Sequence, residues 1–146
     1  MRIPLQIIQG RVIFTALVSS PRFHKIAPVG FFVDTGSTDS FFGKADALRL
    51  QIPVKSLSVM PAPMRMGGYK YDLKILGAVV FRVKNSEQKV ETINFPAFAV
   101  AECTVKKEDA LNEAHSFPSL IGTNFLEINK FVLYVDMANK EAYFER

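Results

Sequence analysis

The chain has 146 residues, 49 % of them apolar and 13 of them Phe, enough for one domain (residues 1–146) that buries roughly two-thirds of its unfolded surface without metal or disulfide support. No window reaches the ~18 uninterrupted apolar residues of a membrane span, the N-terminus lacks the compact apolar core of a signal peptide, and the single cysteine, Cys103, excludes an intrachain disulfide and points to the cytoplasm. The formal charge of +4 is concentrated in the first half, yet its basic residues are scattered singly, without the stripe and interleaved aromatics of a nucleic-acid surface.

Ile3 to Ile8 and Val12 to Val18 are β-branched and apolar, and Gln9-Gly10-Arg11 between them suits a reversal, so a hairpin opens the chain. Ser19 to Pro28 carries Pro21, His24, Lys25 and Pro28 and reads as a solvated loop; His24 has no clustered ligands at metal spacing. An apolar run from Val29 to Val33 then reads as a buried strand that stops on a carboxylate, Asp34, followed by Thr35, Gly36 and Ser37. A buried carboxylate needs compensating donors, and these hydroxyls and the backbone around Gly36 are of that kind. Asp34 is therefore the candidate reactive group. Asp39 and Asp46 lack such a loop and read as solvated surface carboxylates.

Thr38 to Phe42 is expected to return as a strand, and Lys44 to Leu50 has the spacing of a short helix that Ile52-Pro53 stops. Pro61 and Pro63 exclude a central strand between Val54 and Met66. The pair Gly67-Gly68 then reads as the tip of a hairpin leading into Tyr69 to Val83. Ile75 to Lys84 and Val90 to Ala101 flank the turn Asn85-Ser86-Glu87 as a long second hairpin, with Pro96 at an edge or bulge. Cys103 to Phe117 is the most polar stretch and reads as a surface insertion, with a turn or two of helix in Lys106 to Ala114 and a solvated His115. Ser119 to Ile121 is a short strand, Thr123 to Ile128 a helix with Thr123 at or near its N-cap, and Phe131 to Asp136 with Glu141 to Glu145 a last hairpin.

Two stretches together carry a resemblance. Phe31-Phe32-Val33-Asp34-Thr35-Gly36-Ser37 resembles the active-site signature of the aspartic proteases, and Leu120-Ile121-Gly122-Thr123-Asn124 resembles the apolar, apolar, Gly element that precedes the family's conserved helix. With one Asp-Thr-Gly in a short chain, the resemblance is to the retropepsins, the single-domain homodimeric branch. It implies an all-β barrel or sandwich with one short C-terminal helix and a flap hairpin, working as a homodimeric aspartic endopeptidase without cofactor or metal.

The same resemblance implies that Asp34 is catalytic, that Thr35 bonds across the dimer, that Gly36 admits substrate backbone and that Ser37 supports the carboxylate. Met66, Gly67, Gly68 and Tyr69 would form the flap over a peptide bound as an extended strand. Asp136, at a place where the family has a structural carboxylate, is expected to be structural here. The chain departs from the retroviral pattern at Gly122-Thr123-Asn124, where those enzymes commonly carry an arginine whose ion pair lies near the dimer interface. Two other readings stand beside this one: a catalytically silent binding or assembly module on the same fold, and an unrelated all-β domain with an accidental Asp-Thr-Gly.

Overall fold

A computed structural model of the chain describes residues 1–66, 69–104 and 117–146. The opening hairpin forms between β2 (Gln6–Ile8) and β3 (Arg11–Ser20), with Gln9 and Gly10 both at positive φ, the backbone of a tight reversal. The apolar run before it is not one strand. It breaks at Leu5, so that β1 (Arg2–Pro4) joins a different sheet from β2.

Alternation drives β3: Phe14, Ala16 and Val18 are buried while their neighbours are not. The expected loop from Ser19 to Pro28 is instead mostly strand, since β4 (Phe23–Val33) turns back at Ser20 and pairs with β3 throughout, Leu17 opposite Pro28. Along that part β3 is the only neighbour of β4 among the described residues, and an edge tolerates a residue without an N–H. The return after Asp34 is shorter than expected, with β5 only Phe41–Phe42, followed by α1 (Lys44–Arg49) and a 3₁₀ turn at Val54–Ser56.

The hairpin around the glycine pair uses β6 (Met64–Met66) and β7 (Tyr69–Lys84), in register Met64 with Tyr71 and Met66 with Tyr69. Gly67 and Gly68 lie outside the described residues, as do His115 and the helix expected between Lys106 and Ala114. The second hairpin joins β7 to β8 (Val90–Cys103) at Asn85, whose side-chain oxygen accepts the amides of Glu87 and Lys89. Its register shifts on either side of Gly77, beside Pro96, as the proline suggested.

β9 (Leu120–Ile121), α2 (Thr123–Asn129) and a hairpin of β10 (Val132–Asp136) and β11 (Glu141–Glu145) complete the chain. Strands β3, β4, β9, β5, β8 and β7 pair in that order, and β7 pairs back onto β3, which closes a barrel. β1, β11 and β10 form a separate three-stranded sheet. Phe14, Phe31, Phe81, Phe125 and Phe144, all fully buried, link barrel, α2 and terminal sheet, with Phe14 within 6.1 Å of the other four ring centroids. Around this core the fold is all-β with short helices, as expected.

Asp136 closes the last hairpin, its two carboxylate oxygens accepting the backbone amide of Asn139 at 3.0 Å and its side-chain amide at 2.7 Å. Those bonds hold its carboxyl below the ordinary range. Because the folded pKa lies below the unfolded one, the stabilisation is present above the unfolded pKa and is lost as pH falls through the folded one. Melting curves from neutral to acid pH are expected to show a shallower acid decline in Asp136→Ala than in wild type. Phe125→Ala is expected to cost ~3–5 kcal/mol, read as a lower urea midpoint at unchanged slope.

Candidate active site

Asp34 is placed by main chain. Where β4 ends it runs parallel to β9, Phe32 beside Leu120 and Val33 beside Ile121. The Phe32 amide donates to Ser119 O at 3.0 Å, and the Asp34 amide donates to Ile121 O, also at 3.0 Å. One residue beyond, the chain turns: the Gly36 amide donates to Asp34 Oδ1 at 2.8 Å and the Ser37 amide to Asp34 O at 3.2 Å. Gly36 matters because a Cβ there would sit 3.0 Å from Asp34 Oδ1, so a side chain would press on the carboxylate. Asp34 Oδ2 has no hydrogen-bond partner among the described residues.

Two expectations change here. The carboxylate expected to be buried is exposed in the single chain, together with Thr35 and Gly36. Ser37, expected to support it, donates its hydroxyl to Asp39 O at 2.9 Å instead. The loop's shape comes from the second motif. The first two amides of α2, Thr123 and Asn124, donate to Ser37 O at 2.9 Å and Thr38 O at 3.0 Å. Thr123 lies next to the N-cap, as the first residue of the helix. Gly122 holds the N-cap position with no side-chain cap, because loop carbonyls accept the amides that a cap would satisfy.

Behind the loop, Ser40 Oγ donates to Asn124 Oδ1 at 2.6 Å and accepts the Gly122 amide at 2.9 Å. A Cβ on Gly122 would fall on Asp39 O and within 2.8 Å of Ser37 O, so the two segments meet at main-chain distance. Sequence reasoning missed Ser40 and Asn124 as a pair; the only signal was a hydroxyl directly before Phe41 and Phe42. Asp46 is also not a free surface group. Its carboxylate accepts Ser119 Oγ at 2.6 Å and Arg49 at 2.7 Å, and Ser119 Oγ accepts the Gly43 amide at 3.1 Å, which ties α1 to the approach of β9.

Asp34, Thr35, Gly36 and Ser37 thus form one turn, while Met66 and Tyr69 face each other in register at the end of the β6–β7 hairpin. That hairpin is held one residue from its tip by Thr104, whose amide and hydroxyl both donate to Lys70 O at 3.1 Å. Phe117 packs edge-on against Tyr71 at 4.8 Å. Among the described residues there is no group of His, Cys, Asp and Glu suited to a metal, and no helix long and apolar enough to cross a membrane.

No protein-family model matches the chain, and none of the curated proteins matches it. Among solved structures it is similar to the crystal structure of a retropepsin-like aspartic protease from Rickettsia conorii, with a TM-score of 0.60 and 19 % identity over 99 % of this chain and 89 % of that chain. The all-β fold is therefore retropepsin-like. Gly122→Ala should disturb the Asp34 turn directly, because the methyl meets main chain that cannot rotate away. The expected cost is ~1–3 kcal/mol by urea unfolding, with the largest amide shift changes in residues 34–40.

Proposed function

We propose that the chain is one domain, residues 1–146, acting as a homodimeric aspartic endopeptidase on a retropepsin-like fold. The observation that carries this reading is the Asp34 turn: a carboxylate at the end of a strand in which Val29 and Phe31 are buried, with Oδ1 fixed by the Gly36 amide and Oδ2 without a hydrogen-bond partner among the described residues, on an exposed surface of a single chain. Peptide hydrolysis of this type needs two facing carboxylates that share a proton and hold a water. A chain with one Asp-Thr-Gly obtains the second from a copy related by a two-fold axis. The exposure of Asp34, Thr35 and Gly36 in the monomer is what an unassembled half-site has.

In the dimer, one Asp34 takes a proton from the water as it attacks the scissile carbonyl, and the other donates a proton to the carbonyl oxygen. The tetrahedral intermediate collapses with proton transfer to the leaving amine. Thr35 bonds to the partner turn, Gly36 lets the substrate main chain approach, and Ser37 braces the turn through Asp39. The Met66-Gly67-Gly68-Tyr69 tip serves as a flap that closes on an extended peptide, excluding water. Substrates carry apolar residues on either side of the cut. The free Cys103 accords with a cytoplasmic setting.

Asp34→Asn keeps the shape of the turn and removes the base. It is expected to fold and sediment as wild type does, with kcat on an apolar peptide library lowered about 10³-fold or more. A wild-type chain that stays monomeric and cuts nothing would favour the silent module.

A further inference from the structure

The wall behind Asp34 contains a polar contact between side chains that the proposed chemistry does not use. Ser40 is 0 % exposed and directly precedes Phe41 and Phe42, both 0 % exposed. A hydroxyl in such surroundings is costly unless it both donates and accepts. Here it does both, and both partners come from the other motif: Asn124 Oδ1 at 2.6 Å and the Gly122 amide at 2.9 Å. Its own main chain is held from a third direction, since Ala99 of β8 donates to Ser40 O at 3.1 Å.

The consequence runs from Ser40 to Asp34 in short steps. Ser40 fixes the Gly122 amide and the Asn124 side chain. The next amides, Thr123 and Asn124, donate to Ser37 O and Thr38 O, and Ile121 O accepts the Asp34 amide. We infer that Ser40 and Asn124 are positioning residues: their bond sets the spacing between the outgoing leg of the loop and the first turn of α2, and so aims the Asp34 carboxylate. Thr123 occupies the place where the retroviral pattern has its arginine, and the neutral Ser40–Asn124 bond gives this chain a link between the two motifs that does not depend on ionic strength. The kinetic part of the inference rests on the peptidase reading; the structural part does not.

Native-state hydrogen exchange followed by NMR on wild type, Ser40→Ala, Asn124→Leu and Asn124→Asp tests it, with kcat and KM measured on the same samples. Ser40→Ala and Asn124→Leu are expected to speed exchange of the Thr123 and Asn124 amides about tenfold or more while β7 and β8 amides keep their rates. Asn124→Asp, which leaves an oxygen for the Ser40 hydroxyl, is expected to restore that protection. The kcat of the two disrupting variants is expected to fall roughly 10- to 100-fold with KM within about threefold, since small misplacements of a reacting group act on the chemical step. If Ser40→Ala does not fold, Asn124→Leu against Asn124→Asp makes the same comparison.

Unchanged Thr123 and Asn124 exchange overturns the inference. So does an equal rise throughout β7 and β8, which would mean general loss of stability. Faster exchange with wild-type kcat overturns the positioning role. If wild type cuts no peptide, the peptidase reading fails, and the exchange rates alone decide whether the pair aims the turn.

Discussion

Main-chain hydrogen bonds between two distant segments give the Asp34 turn its shape, and the rest of the structure is arranged so that they can form. Asp34 bonds to Ile121, Ser37 to Thr123 and Thr38 to Asn124, all backbone to backbone. Such bonds are insensitive to side-chain identity but intolerant of spacing, so Gly122 has no room for a Cβ. An exposed carboxylate is thereby held as firmly as the segment it leans on.

That segment is firm because α2 is anchored in the aromatic core. Phe125, the third residue of the helix, is fully buried and lies within 6.0 Å of the ring centroids of Phe14, Phe81, Phe95, Phe131 and Phe144. The amides that grip the loop and the ring that grips the core therefore sit on the same turn of helix. Close packing of this kind transmits position, and the barrel closure between β3 and β7 keeps the core from opening at an edge.

Much of this was legible from local pattern. β-Branched apolar residues beside the reversal at Gln9-Gly10 gave β3, the polar turn at Asn85 gave the β7–β8 hairpin, and the two motifs stood out because each joins an apolar run to small residues. What was hidden depends on partners. The split at Leu5 follows from which sheet each half joins, and Pro28 lies in a strand because that stretch is an edge. The Ser40–Asn124 bond spans 84 residues, beyond any local periodicity. The exposure of Asp34 was misjudged because burial was carried over from the apolar run before it, whereas the turn itself, Asp34 to Gly36, is exposed in the single chain.

The distance along the chain between the two halves of the turn's support has a consequence for biosynthesis. Asp34 emerges from the ribosome long before Ile121, Gly122 and Asn124, and until they follow, its turn has only the local bonds from the Gly36 and Ser37 amides. The parallel pairing of β4 with β9 is likewise non-local and forms late. A nascent or truncated product therefore carries Asp34 without the long-range bonds that aim it, and on the proposed reading its chemistry waits until the last segment has been made.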